Sequence, residues 1–235
     1  MVGLGPGNRE SITPEALGAI KEAQVVVGYP TYLDLIEDLM AGKERVATPM
    51  RGELERARQA VALAVAGKKV AVVSSGDPGI YGMAGLILEV AGGEIPVQVV
   101  PGVTAASAAA AALGAPLMND FAVISLSDLL TPWEIMIRRL EAAAQGDFVI
   151  VLYNPRSHGR PDHIKRAREI FLRHRSSQTP VGIVRCARRG LEEKILTDLE
   201  NMLHYEIDML TTVVIGNSQT RVMGGEMVTP RGYRL

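Results

Sequence analysis

Val70-Ala71-Val72-Val73-Ser74-Ser75-Gly76-Asp77-Pro78-Gly79-Ile80-Tyr81-Gly82 reads as a short buried strand running directly into a glycine-rich turn. The apolar, β-branched opening has the length and flanks of a strand covered on both faces, and a helical pattern follows the turn. The turn therefore stands at a strand's carboxyl end, where open α/β sheets bind ligands. Gly3-Leu4-Gly5-Pro6-Gly7 and Pro101-Gly102-Val103-Thr104-Ala105-Ala106-Ser107 also stand where strands should end. Glycine at such places lets main-chain N–H and C=O groups approach a ligand without an intervening Cβ.

Outward from these loops the first half alternates. Strands are expected near Gly3 and over residues 24–27, 70–74 and 97–100, with helices over 14–23, 53–66, 81–91 and an alanine-rich stretch from Ala105. That βαβα order implies a largely parallel sheet. Thr13 before Pro14 is an N-cap followed by proline at the first helical position. Leu113-Gly114-Ala115-Pro116-Leu117 reads as a connector, so two α/β domains are expected, residues 1–115 and 116–235, with a cleft between them. The second half offers strands over 121–126, 148–153, 180–184 and 211–215, and helices over 132–144, 161–174 and 191–205. Thr131-Pro132-Trp133-Glu134 has the pattern of a capping box, and Gly224-Gly225 predicts a closing hairpin within residues 219–235.

Composition narrows the function classes. The chain has 235 residues, 47% of them hydrophobic and 22% charged, enough to bury a sizeable core. A net charge of −1 gives no global attraction to nucleic acid or to an anionic membrane, so neither is expected as a partner. A single cysteine, Cys186, excludes an intrachain disulfide and a cysteine-only metal site. No stretch has the zones of a signal peptide or the length of a membrane span, which reads as a cytoplasmic protein. His158, His163, His174 and His204 lack metal-ligand spacing, so no metal site is expected.

Nicotinamide chemistry fits poorly. Asn8 stands where the third glycine of the dinucleotide fingerprint belongs, and Val25-Val26-Val27 runs into Gly28-Tyr29-Pro30 without the ribose-binding acid. No lysine of the phosphate-loop type follows a glycine turn either.

The three glycine segments, in this order and spacing, with Tyr153-Asn154-Pro155-Arg156 and Gly216-Asn217-Ser218-Gln219-Thr220 further on, resemble the tetrapyrrole (corrin/porphyrin) methylase family along essentially the whole chain. The run from Phe121 to Trp133, followed by Val149 to Ser157, is similar to the family branch that methylates C17 of precorrin-3B or cobalt-factor III with coupled ring contraction in cobalamin synthesis. The resemblance implies the fold of class III methyltransferases, a homodimer, S-adenosylmethionine (SAM) in the inter-domain cleft with S-adenosylhomocysteine as product, and an anionic tetrapyrrole as substrate. It implies cofactor contacts from Gly5, Pro6, Gly76, Asp77, Ile80, Tyr81, Thr104 and Ala105, and from Tyr153, Arg185, Cys186, Ala187, Thr211 and Thr212.

For the substrate, arginine is the natural partner of acetate and propionate groups, because it binds a carboxylate through two parallel hydrogen bonds. Arg156 and Arg185 are the candidates expected to face the cleft, and Asp128 and His158 are the candidates for proton movement during ring contraction. Each residue also has a plain reading: Asp77-Pro78-Gly79 as an ordinary turn, Thr104 as a helix cap, Tyr153 as a strand-end aromatic, Asp128 as the organiser of its own turn. Two departures from the family pattern stand out, Asn119 where histidine is expected and Cys186 where asparagine is common. Only Met1 and Val2 precede Gly3, so the first strand is expected to be weakly held. Competing functions are methylation at C11 or C20, a uroporphyrinogen substrate, or a non-catalytic SAM or tetrapyrrole carrier.

Overall fold

The computed structural model describes residues 1–49 and 51–234. Leu235, the last residue of the expected hairpin region, lies outside them. The chain divides into two compact units, Met1–Ala105 and Ala106–Leu235.

The first unit is a four-stranded parallel sheet. Its strands are β1 (Val2–Gly3), β2 (Val25–Gly28), β3 (Glu44–Ala47) and β4 (Val70–Ser74), in the order β1-β4-β2-β3. Side chains alternate across it, as strand geometry requires. Val26, Ala71 and Val73 pack with Ile20 of α1 (Pro14–Glu22) and Leu33 of α2 (Pro30–Asp34). Val25, Val27 and Val72 pack with Ala57 and Ala60 of α3 (Glu53–Val65) and Ile87 of α4 (Ala84–Ala91). Both faces are covered, which is why these strands read as unbroken apolar runs.

Local signals explain the boundaries. Thr13 caps α1 as expected, its hydroxyl accepting from the Ala16 N–H at 3.1 Å with Pro14 at the first turn. α4 begins at Ala84 rather than near residue 81, because Tyr81 has φ 54° and cannot continue a right-handed helix. The expected strand over 97–100 reduces to one bridge, Val2 to Val100. That segment nevertheless grips β1 from the side opposite β4: Gly3 N–H donates to Val100 O, Val100 N–H to Met1 O, and the Met1 ammonium to Gln98 O at 2.7 Å. The first strand is thus held along both edges, and burial lowers the pKa of its ammonium.

The second unit is built on a mixed sheet, β6-β7-β10-β8-β9. Its strands are β6 (Phe121–Ser125), β7 (Val149–Tyr153), β8 (Pro180–Arg185), β9 (Glu193–Asp198) and β10 (Thr211–Ile215). One face packs on α6 (Trp133–Gln145) and α7 (His163–Leu172) through Leu140, Ile164, Ile170 and the fully buried Phe171. The other face, with Val149, Val151, Val184 and Val214, packs on Ala106, Ala109 and Leu113 of the alanine-rich α5 (Ala105–Leu113). The boundary expected from the sequence, between Ala115 and Pro116, lies beyond this helix, whereas packing groups the helix with the second unit. A small sheet joins β5 (Gly114–Ala115) to the hairpin of β11 (Arg221–Met223) and β12 (Glu226–Val228), with Gly224 and Gly225 at its turn.

Two expectations are corrected. Residues 191–205 do not form a helix: they hold β9, which pairs antiparallel with β8 at the sheet edge, and a 3-10 turn at Met202–His204. The capping box is absent, since Pro132 is the N-cap of α6 and makes no side-chain capping bond. Among the described residues no helix is long and apolar enough to cross a membrane.

Thr13→Ala, which removes the cap of α1, is expected to cost about 1 kcal/mol and to lower Tm by roughly 2–4 °C in thermal melts.

Candidate functional site

In the first unit the three glycine loops leave the sheet at its carboxyl edge and cross one another. Gly5 N–H donates to Gly76 O at 3.2 Å and Gly76 N–H to Gly5 O at 2.7 Å. Asp77 then ties in the third loop, one oxygen accepting from Gly79 N–H at 2.7 Å and the other from Gly102 N–H at 3.0 Å. The turn reading of Asp77 is therefore right, and the residue also acts as a staple between loops. The approach is closer than a side chain allows: a Cβ on Gly102 would lie 2.2 Å from Gly76 O, and one on Gly3 would lie 2.7 Å from Gly102 N.

Around this crossing Gly5, Pro6, Gly76, Asp77, Thr104 and Ala105 come together. At Gly76 (φ 68°) the nearest atoms to a Cβ would be Ala105 N and Thr104 Cα, each 4.0 Å away, so the second loop lies in van der Waals reach of the start of α5 and it is the left-handed backbone, not crowding, that favours glycine there. Beside it Ile80 and Tyr81 are 39% and 57% exposed and offer apolar surface to the turn. A cradle of main-chain donors and acceptors with exposed apolar walls fits a nucleoside-type cofactor better than a phosphate, which would call for a cation or the start of a longer helix.

In the second unit the strand pairings bring another set of residues to one edge. β6 and β7 are parallel, and β10 runs antiparallel to both β7 and β8. The ends of β6, β7 and β8 and the start of β10 therefore share an edge, from which loops 126–132, 154–162, 186–192 and 205–210 emerge. Tyr153, at the end of β7, accepts the Ala106 N–H at 2.6 Å and so satisfies one of the open donors of α5. Arg185 pairs across the sheet with Thr211, and Val184 with Thr212, while Cys186 N–H donates to Leu210 O. These contacts gather Arg185, Cys186, Ala187, Thr211 and Thr212 as expected from the sequence, although both threonines are buried.

Charge on this edge is internally organised. Arg185 Nε lies 2.9 Å from Asp208, and that hydrogen bond and charge hold its guanidinium above the ordinary arginine value. Burial pushes the Asp208 carboxyl up, but hydrogen bonds from Arg185, the Thr211 hydroxyl and Leu210 N–H outweigh it and hold the group below the usual carboxylate range. Arg156 and His158 are exposed on loop 154–162.

Asp128 is also drawn into a cluster: its oxygens lie 3.6 Å from Arg160 Nε and 3.6 Å from His163 Nε2. No local motif in the sequence marks Arg160 and His163 as partners of Asp128. Among the described residues, left-handed backbone at six non-glycine positions, Arg51, Tyr81, Asp147, Asn154, Cys186 and Arg188 (φ 50–65°), is a further feature the sequence did not reveal. All but Asp147, which precedes β7, lie on loops at one of these two edges.

Comparison with known proteins agrees with this geometry. A family model described as Tetrapyrrole (Corrin/Porphyrin) Methylases matches residues 1–202. The chain is 49% identical to a "Probable cobalt-factor III C(17)-methyltransferase" of Salmonella typhimurium, covering 100% of this chain and 99% of that one. It is 48% identical to a "Cobalt-factor III methyltransferase" of Priestia megaterium, of which it spans only 45%. The crystal structure of the methyltransferase CobJ superposes with a TM-score of 0.92 at 38% identity, covering 97% of this chain and 98% of that one. A uroporphyrin-III C-methyl transferase from Thermus thermophilus, complexed with S-adenyl homocysteine, superposes with a TM-score of 0.70 at 26% identity over 92% and 90% of the chains.

Two outcomes follow from the geometry. Gly102→Ala is expected to lower Tm and weaken binding of S-adenosylhomocysteine in calorimetry, since its new methyl meets Gly76 O. Asp208→Asn tests the ion pair through pH. A carboxyl lowered by folding contributes stability above its unfolded pKa of about 3.9 and loses it as pH falls through the folded value. The stability gap between wild type and variant, read by urea titration, should therefore be full at pH 6–7 and close under acid.

Proposed function

The chain belongs to the tetrapyrrole (corrin/porphyrin) methylase family, and on that premise we propose that it transfers a methyl group from SAM to C17 of cobalt-factor III or precorrin-3B, with coupled ring contraction, in cobalamin biosynthesis. The observation that carries this reading is the crossing of the Gly5, Gly76 and Gly102 loops at the carboxyl edge of a parallel sheet. The 49% identity to the Salmonella relative along the full chain supports the substrate.

The residues divide the work. Main-chain groups around Gly5, Pro6, Gly76, Thr104 and Ala105 hold the cofactor, with Ile80 and Tyr81 as apolar walls and Asp77 as the staple that keeps the loops crossed. In the second unit, Tyr153 and the Cys186-Ala187 segment are the residues offered to the cofactor. SAM supplies an electrophilic methyl on a sulfonium. Such a transfer needs orientation and exclusion of water more than a strong acid or base, and fixed geometry is worth up to about 7–11 kcal/mol in favourable intramolecular models.

For the macrocycle, Arg156 is the cation most open to a carboxylate. Arg185, already bound to Asp208, contributes by fixing the start of loop 186–192, and Thr211 fixes Asp208 in turn through a 2.8 Å hydrogen bond. Proton movement during contraction falls to His158 or Asp128, both on loops of the same edge. The active form is a homodimer of the cytoplasm.

Incubation with SAM and each macrocycle is expected to yield one added methyl by mass, altered absorbance and an equivalent of S-adenosylhomocysteine with one of the two. Absence of turnover with both defeats the reading. Asp128→Asn and His158→Gln should separate the steps: the variant that lacks the proton-handling group loses contraction, seen by absorbance, while SAM affinity stays unchanged.

A further inference from the structure

Loop 126–132 of the second unit carries two neighbouring leucines out of the fold. Leu129 is 64% exposed and Leu130 98% exposed. Single exposed leucines are common on protein surfaces; this pair stands at the tip of a loop whose root is fixed. The root of the loop is fixed from several directions. Ser127 N–H donates to Ser125 Oγ at 3.2 Å, and the Asn154 side-chain amide donates to the same oxygen at 2.9 Å. Leu126 is fully buried, and its carbonyl takes hydrogen bonds from Arg160 Nη1 at 2.7 Å and from His163 Nδ1 at 2.9 Å. The same two side chains flank Asp128 at 3.6 Å, so one arginine and one histidine clamp the loop on both sides of Ser127. Trp133 stacks on His163 at 4.3 Å between ring centroids, holding the clamp in turn.

The surroundings say what the leucines meet. Arg160 Nη2 also reaches Met209 Sδ at 3.7 Å, which brings Met209 and Leu210, each 47% exposed, to the same clamp. Arg156 is exposed on loop 154–162, which follows β7, the strand paired with β6, and Arg188 is exposed further along the edge on loop 186–192, after β8. An apolar platform bordered by guanidinium groups is complementary to a flat apolar ring fringed with carboxylates.

We propose that Leu129 and Leu130 determine substrate recognition by receiving the apolar face of the tetrapyrrole, and that Arg160 and His163 are positioning residues that set the leucines through Asp128 and Leu126. This inference rests on the tetrapyrrole reading above. Because the loop is already fixed, the leucines give binding energy without first being ordered.

The test uses the full chain with cobalt-factor III or precorrin-3B, whichever the wild type methylates. Leu129→Ala/Leu130→Ala is expected to raise KM for the macrocycle about tenfold or more, in keeping with the loss of two apolar contacts. Its Tm, SAM affinity by calorimetry and oligomeric state by light scattering should match the wild type. Leu129→Met/Leu130→Met should keep KM near the wild-type value. Arg160→Lys should retain a lower KM than Arg160→Gln, with SAM affinity equal in both.

An unchanged KM in the double alanine variant overturns the inference while leaving the methyltransferase reading intact. Dissociation of the oligomer, with KM restored at high protein concentration, also overturns it, because the leucines then serve a second copy. Equal KM values for the two Arg160 variants overturn the positioning role. A wild-type chain that methylates neither macrocycle removes the reading and the inference together.

Discussion

Three lengths of main chain meet at Gly3, Gly76 and Gly102, and the meeting depends on the absence of side chains at Gly3 and Gly102 and on the left-handed backbone of Gly76. With a carbonyl 2.2 Å from where a Cβ would stand, any substitution at Gly102 must move backbone, since no flexible side chain is there to yield. The parallel sheet beneath supplies the rigidity that makes the crossing reproducible. Its inner strands β2 and β4 are buried on both faces, and the carboxyl ends of its strands bring the loops to one place without long connections. The acid in the middle, Asp77, ties the second loop to the third by accepting the Gly102 N–H.

The second unit solves a different problem with different means. Its edge is populated by side chains, and most of its charges are tied to one another: Arg185 to Asp208, Asp128 to Arg160 and His163. Such pairs near the surface add little to stability. Their value lies in holding loops that would otherwise be long and unsupported. A methyl transfer governed by orientation needs this kind of framework, in which few groups react and many hold position.

How much of this was legible in the sequence varied with the physics of each segment. Val70 to Ser74 was readable because a strand buried on both faces has no polar alternation to confuse it, and Thr13-Pro14 because a cap is a local interaction. β9 was misread as helix: Leu191, Ile195 and Leu199 fall at helical spacing, yet the pairing of Glu193 with Arg185 and of Ile195 with Ile183 at a sheet edge prevails, and that is a tertiary fact. β3 was missed because Glu44-Arg45-Val46-Ala47, an edge strand, has too few apolar residues to announce itself. The residues of the candidate site were found through the family resemblance and the glycine turns. The clamp of Arg160 and His163 on Asp128 joins residues more than thirty positions apart, and nothing in a single sequence marks such a pairing.

The left-handed turns at Tyr81, Asn154, Cys186 and Arg188 bear on how this protein has been shaped. Each asks an L-residue to sit where its Cβ crowds the backbone, at a cost of the order of 1 kcal/mol or more. A chain under selection for durability alone would fill most of these positions with glycine or asparagine and become harder to melt. Glycine at Tyr81, Cys186 or Arg188 would relieve that crowding, so these turns hold backbone energy that a stabilisation effort could recover.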